Sequence, residues 1–399
     1  MENVLVVLVT VITGAVLLYP RLAKARLWRA TITPLASIIG SGFLVLGPIL
    51  DASYGLYAPL IMALLCLGAY LFGGAIRYNI SALAAAAEKR SRTVLALEFA
   101  SSWALAFAYV ISVAYYLNLL GAFSVSLTAM NDAYHGRLVT SGVYATILLV
   151  GWTHGFRALE RMEQVSVGVK LTIIAGLLFG LGWFFVGRLE ADGLYLNPPQ
   201  LSWWSGTCLA FGLIVTVQGF ETSRYLGDDY GPEIRMRSMR LAQGISTAIY
   251  MVYIGLLAYV FAPGTLVLKE TAIIDLMHIV APILPALLVA AALSAQFSAA
   301  VADTSGSGGL LAEVTGGRLS PRAAYGILVA IGLFLTWGLN VFEIISYASR
   351  AFAFYYALQA AIAALTALPR PGQRLLAGGF FALALLGLAI VLFGTPVDV

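Results

Sequence analysis

The fold class predicted by the sequence is an all-α polytopic membrane protein of about twelve transmembrane helices, with a five-plus-five inverted repeat and discontinuous first and sixth core helices. Three observations predict it. The 399-residue chain is 61% hydrophobic and only 11% charged, whereas soluble domains carry roughly 25% charged residues. Its apolar runs are continuous and about 20 residues long, the length that crosses hydrocarbon, and lack the alternating ~10-residue segments of a membrane β-barrel. Two of those runs carry a small or polar interruption near mid-membrane.

The apolar runs place spans at about 3–20, 31–50, 57–77, 93–128, 139–157 and 163–187. Six more follow at about 205–227, 239–262, 283–312, 321–338, 342–368 and 373–395. The first has no basic segment before it and no small-residue cleavage site after it, so it reads as a retained helix and not a signal peptide. The fourth, at about 36 residues, exceeds a bilayer of about 30 Å and must tilt or protrude.

Basic residues fall in alternate loops. One set holds Arg21, Lys24, Arg26 and Arg29; Arg77, Lys89, Arg90 and Arg92; Arg157 and Arg161; Arg235, Arg237 and Arg240; Arg318 and Arg322; Arg370 and Arg374. The intervening loops hold only Arg137, Arg188 and Lys269. Positive charge marks the cytoplasmic face, so both termini are expected outside the cytoplasm of a plasma (inner) membrane. Topology thus accounts for the net charge of +4, and no nucleic-acid partner is expected. Cys66 and Cys208 are too few for a disulfide framework or thiolate site, and His135, His154 and His278 form no ligand spacing. No phosphate-loop motif and no convergent acid–base set occurs, so neither an ATP-driven pump nor an enzyme is expected, and no cofactor beyond a coupling ion.

The second span contains Ser37-Ile38-Ile39-Gly40-Ser41-Gly42-Phe43, and the seventh Val217-Gln218-Gly219-Phe220-Glu221-Thr222-Ser223. Each interrupted span is followed by four more. Five is odd, so the two units face opposite ways across the membrane, which is an inverted repeat. The organisation expected is an extra N-terminal helix and basic loop at 1–29 and a first repeat at 30–188. An external linker at 189–204, a second repeat at 205–368 and an extra C-terminal helix at 369–399 complete it. Unwound backbone frees N–H and C=O groups that lipid cannot satisfy, so it survives where it lines a site. Half-helix N-termini favour anions and freed carbonyls favour cations, which suits a substrate carrying both charges. Interrupted helices at matching positions point to the substrate site of a secondary transporter.

Ile39-Gly40-Ser41-Gly42-Phe43 resembles the first-helix motif of the amino acid–polyamine–organocation permeases, and Gly219-Phe220-Glu221 resembles the Gly-Phe-Glu of their sixth helix. Asp228-Asp229-Tyr230-Gly231-Pro232-Glu233 with Arg235 is similar to the acidic–proline–basic loop that follows. Glu160-Arg161 and Lys170 resemble the entry to their lysine-bearing fifth helix. The resemblance covers about 30–368 and implies the leucine-transporter type of fold. Ala302-Asp303-Thr304-Ser305-Gly306-Ser307 looks more like the hydroxyl-rich stretch of sodium–solute symporters on that fold.

Ionisable groups inside spans usually face a cavity or a partner. Lys170, Asp303 and Thr304 lie about seven to nine residues from the cytoplasmic ends of their spans, a depth similar to that of Gly40 and Gly42. Two cation readings are open. In one, the Lys170 ammonium stands where related carriers hold sodium, against carbonyls of the broken helix and Asp303 or Thr304, and links transport to protons. In the other, the Thr304 and Ser305 hydroxyls with the Ala36 and Ile39 carbonyls bind sodium. Ser37, Gly40, Ser41, Gly42, Gln218, Gly219, Phe220 and Tyr109 are the candidate substrate contacts, with Phe220 capping the substrate by resemblance. Glu221 is an inner gate candidate, and Asp51, Glu343 and Arg350 are outer ones. The expected function is proton-coupled secondary transport of a small amino acid or amine by alternating access. Sodium symport is the alternative, and a channel or ligand sensor on the same fold a further one.

Overall fold

The computed structural model describes residues 2–40, 42–85, 91–153, 157–191, 193–226, 229–262, 264–265 and 267–398, with side chains described except over 83–85 and 157–166. Among these residues there is no strand. Helices α1 (Glu2–Leu17), α2 (Pro20–Ala23), α3 (Arg26–Ile38) and α4 (Gly42–Tyr54) come first. Then follow α5 (Ala58–Ala85), α6 (Arg92–Val125), α7 (Ala133–Thr153) and α8 (Arg157–Ala191). After α9 (Trp203–Gly212) the chain makes two 3-10 stretches, Ile214–Val217 and Phe220–Tyr225. The remainder is α10 (Pro232–Leu257), α11 (Ala272–Val280), α12 (Leu284–Val314), α13 (Pro321–Gly338), α14 (Val341–Ala367) and α15 (Arg374–Phe393). Among the described residues, seven stretches are long and apolar enough to cross a membrane: Gly42–Ala82, Arg92–Val125, Val167–Ala191, Pro232–Leu257, Leu284–Val314, Pro321–Gly338 and Arg374–Phe393. The chain is a polytopic helical membrane protein.

Local chemistry sets the helix ends. The hydroxyls of Ser91, Ser202 and Ser320 accept from the backbone N–H of Val94, Ser205 and Ala323, capping α6, α9 and α13. Asn340 and Glu343 form a reciprocal capping box at the start of α14. Helix α10 begins at Pro232, about seven residues before the apolar run, because a proline at the first helical position costs no hydrogen bond and the helix carries its arginines outward. Helix α11, nine residues long, is too short to register as a span in the sequence.

Helix α6, 34 residues long, is about 51 Å in length. From Ala104 to Gly121 it is buried almost all round, between α12 and α14, as expected of a helix apolar on every face. Small residues bring the outlying helices close. A Cβ at Gly176 would sit 2.2 Å from the Thr10 hydroxyl, so α1 lies directly on α8. A Cβ at Gly387 would sit 2.9 Å from Ala357, so α15 lies on α14. Beyond α15, the Thr395 N–H donates to the Cys208 carbonyl at 3.0 Å, and the Arg350 guanidinium donates to the Gly394 carbonyl through Nε at 3.0 Å.

The two interruptions pack on each other. Helix α3 ends at Ile38 and α4 restarts at Gly42. On the other side Gln218 is extended and Gly219 has φ +115°, a backbone that side-chain-bearing residues rarely adopt. A Cβ at Gly42 would meet Thr216 Cα at 2.7 Å, and one at Gly219 would meet Ser37 Cβ at 2.4 Å. Each break is therefore the steric limit of the other.

Gly219→Ala is expected to cost about 2–3 kcal/mol, combining strained backbone with overpacking, read as a lowered midpoint of thermal unfolding in detergent. Gly193→Ala, also at positive φ but with open space around its Cβ, is expected to cost only about 1–2 kcal/mol. Equal losses at the two positions would remove the packing argument.

Candidate functional site

A helix that stops inside the membrane leaves its last carbonyls without intrahelical donors. At the end of α3 two of these are taken by side chains from other helices. The Lys170 ammonium of α8, buried to 2% exposure, donates to the Ala36 carbonyl at 2.6 Å. The Tyr250 hydroxyl of α10, fully buried, lies 2.9 Å from the Ile38 carbonyl and 2.6 Å from the Thr216 carbonyl. One phenol thus bridges both interruptions. The C-terminal end of a half-helix carries partial negative charge, which favours the ammonium placed there.

Asp303 and Thr304 face inward from α12. The Ser112 hydroxyl of α6 donates to the Asp303 carboxylate. The Thr304 hydroxyl donates to the Ala300 carbonyl at 2.6 Å, which leaves its lone pairs as acceptors. Ser305 is half-buried beside them, and Ile39 is buried with its N–H on the Leu35 carbonyl at 3.0 Å.

Gln218 donates from Nε2 to the Tyr116 hydroxyl at 2.9 Å, and its buried Oε1 meets no donor among the described residues. Glu221 is fully buried. Its Oε2 accepts from the Gly219 N–H at 3.0 Å and from the Tyr356 hydroxyl at 2.9 Å, while Oε1 has no donor among the described residues. The Phe220 ring stacks on Tyr356 with centroids 5.1 Å apart, and Phe72 stacks on Tyr356 at 5.3 Å. Tyr109 meets Phe352 edge-on at 6.0 Å, and a Cβ at Gly306 would lie 3.1 Å from its ring. Ser37 is half-buried, and Gly40 and Gly42 are buried. Ser41 lies outside the described residues, as do Asp228, His154 and the side chains of Glu160 and Arg161.

The structure therefore brings Ala36, Ser37 and Gly42 together with Lys170, Gly219 and the backbone of Thr216. It joins Gln218 to Tyr116 and Phe220 and Glu221 to Tyr356. The outer gate candidates have other partners. Arg350 holds the Gly394 carbonyl, Glu343 Oε2 accepts from the Asn340 N–H at 2.8 Å, and Asp51 is buried in α4 facing Asn197. Sequence reasoning missed Tyr250, Tyr356 and Ser112. A tyrosine among 20 carries no spacing signal, and its importance lies in which carbonyl its hydroxyl reaches.

Tyr250→Phe deprives two buried carbonyls of their shared donor. The expected cost is about 1–3 kcal/mol, measured as a shift of the thermal midpoint, with the fold retained because the ring volume is unchanged. An unchanged midpoint would show that the bridge contributes nothing to stability.

Comparison with known proteins gives the chain its relatives and its family. An uncharacterized protein of Aquifex aeolicus (strain VF5) is 43% identical over 387 residues, covering 96% of this chain and 94% of the relative. The family of APC superfamily transporters matches residues 20–394. With that match running from α2 to the end of α15, the chain belongs to the APC superfamily of transporters.

Proposed function

We propose that this transporter is a secondary active carrier of a small amino acid or amine that works by alternating access and is coupled to protons. The observation that carries the reading is the Lys170 ammonium on the Ala36 carbonyl at 2.6 Å. A positive charge held on a carbonyl freed by the helix break takes the position a coupling cation would use. A buried lysine also exchanges its proton readily when its surroundings change, which suits a relay. The substrate is assigned to the paired interruptions, with Gly40, Gly42 and Gly219 presenting backbone and Gln218, Phe220 and Tyr109 around them. Glu221 is assigned to the inner gate.

The reading includes twelve spans, with a five-plus-five inverted repeat between an extra helix at each end. Helix packing supports it. Under the exchange of α5 with α10, α6 with α12, α7 with α13 and α8 with α14, most of the helix pairs that pack together map onto pairs that also pack together, α6 with α13 being an exception. Helix α6 packs on α14 as α12 packs on α8, and α1 packs on α8 as α15 packs on α14. Pseudo-symmetry of this kind lets one unit rock against the other around a fixed site.

A sodium-coupled reading draws on one observation. The Thr304 hydroxyl spends its proton on Ala300 and keeps its lone pairs, so with Ser305 it offers oxygen ligands to a hard cation. Uptake of a labelled amino-acid and amine panel into proteoliposomes separates the two, run with an inward proton gradient and separately with a sodium gradient. Proton-driven uptake is expected, falling about 100-fold in Lys170→Ala, the low end of what loss of a proton-transfer group costs. Sodium-driven uptake that survives the substitution would overturn proton coupling in favour of the Thr304 site. Flux that does not saturate would mark a channel, and binding without uptake a sensor.

A further inference from the structure

Away from the interrupted helices, α5, α10 and α15 enclose a lateral cavity of about 840 Å³. Its charged groups stand at one end only. Arg77, Tyr78 and Ser81 of α5 and Arg240 of α10 stand at that end. Leu71 and Gly74 of α5, with Phe380, Leu383 and Leu386 of α15, form the rest of the wall. From Ser81 to Tyr70 along α5 is about 16 Å, and from Leu376 to Leu386 along α15 about 15 Å. Tyr70, Leu71 and Leu376 are exposed on this flank. The cavity therefore opens sideways, towards lipid.

Among the described residues, no carboxylate pairs its charges. Arg77 is only 5% exposed. Its guanidinium donates to the Gln243 Oε1 and, at 3.2 Å, to the Tyr70 carbonyl, and lies 4.7 Å over the Tyr70 ring. All of these partners are neutral, and its charged neighbour is Arg240. Arg240 is exposed and makes no hydrogen bond or ion pair among the described residues. Arg370 adds a third positive charge at the same end, donating to the Tyr78 hydroxyl at 3.2 Å. Charged groups at membrane depth are costly unless paired, and here no described carboxylate pairs them. Arg77 lies about 28 Å along α5 from its start at Ala58, close to the full thickness of the hydrocarbon. That places the arginines at headgroup level and the apolar wall at acyl-chain level.

We propose that this cavity is a binding site for an anionic phospholipid, with its phosphate held between Arg77 and Arg240 and an acyl chain laid along α15. The Ser81 hydroxyl supplies a further donor to the headgroup, while the Tyr78 hydroxyl donates to Gln373 Oε1 at 2.6 Å and so holds Arg370 at that end. A free phosphate satisfies the arginines and leaves the apolar wall bare. A zwitterionic lipid fills the wall and brings its own cation to the arginines. The match of charge at one end and hydrocarbon along the other selects the anionic lipid. The site is separate from the interruptions and independent of the substrate and the coupling ion.

Native mass spectrometry of the full chain in detergent tests this, with palmitoyl-oleoyl phosphatidylglycerol, palmitoyl-oleoyl phosphatidylcholine or inorganic phosphate as the probe. Phosphatidylglycerol is expected to be retained roughly fivefold or more over phosphatidylcholine, about the effect of one arginine near a headgroup. Arg240→Gln, on an exposed side chain that does not threaten folding, is expected to reduce that retention roughly fivefold and leave phosphatidylcholine unchanged. Arg318→Gln, an exposed arginine elsewhere, should leave both unchanged. Equal retention of the two lipids, or equal losses in the two variants, would overturn the site in favour of diffuse surface charge. Displacement of phosphatidylglycerol by millimolar inorganic phosphate would overturn the lipid in favour of a free anion.

Discussion

Hydrocarbon offers no hydrogen bonds, so a helix that breaks inside it must find donors and acceptors within the protein. The centre of this molecule is organised around that demand. The end of α3 hands one carbonyl to Lys170 and another to Tyr250, and Tyr250 also reaches Thr216 across the gap. Had α3 and α4 been continuous, neither side chain would have a reason to be buried there. Burial of the lysine, the position of α10 and the contact between the two breaks all follow from two interrupted ladders.

The second interruption is satisfied differently. Its carboxylate is local: Glu221 accepts the N–H of Gly219 two residues before it and is steadied by Tyr356 from α14. The aromatic column of Phe72, Tyr356 and Phe220 then connects α5, α14 and the break through ring faces. Stacked rings are stiff and apolar, and they shield the carboxylate from lipid without competing for its oxygens. Both breaks are thus held by groups from distant helices. Tyr250 also serves the second, where Ser349 of α14 donates to the Gly212 carbonyl at 2.6 Å and accepts from the Val215 N–H at 3.1 Å, and the second break adds a carboxylate of its own.

Much of this was readable before any coordinates. Gly40-Ser41-Gly42 and Gln218-Gly219 announced the interruptions because close backbone approach and positive φ are tasks for glycine. The depth of Lys170 within its span, together with the family resemblance, pointed to the broken helix. What stayed hidden depended on the rotation of each helix about its axis, which spacing alone does not give. Tyr250 and Tyr356 sit among many tyrosines of similar surroundings, and only their azimuth aims them at a carbonyl or a carboxylate. Arg350 and Glu343, two turns apart on α14, are outer gate candidates with Asp51 in the sequence. Arg350 reaches Gly394, 44 positions away, a partner that spacing does not announce, because a guanidinium is a good donor to a carbonyl at a helix end. Helix α10 began earlier than its apolar run because its first turns are basic and lie where charge is tolerated.

The segment after α15 deserves the attention of anyone who attaches something to this protein. Thr395 is bonded to Cys208 on α9, Gly394 is gripped by Arg350, and Val397 is buried. The backbone there fits so tightly that a Cβ at Gly212 would lie 1.9 Å from the Thr395 carbonyl. Helix α9 leads straight into the second interruption, so this short stretch straps the C-terminal tail to the helix that carries it. A fluorescent domain or affinity handle joined directly behind Val399 would load that strap and, through it, α9. A spacer, or attachment ahead of α1, avoids the artefact.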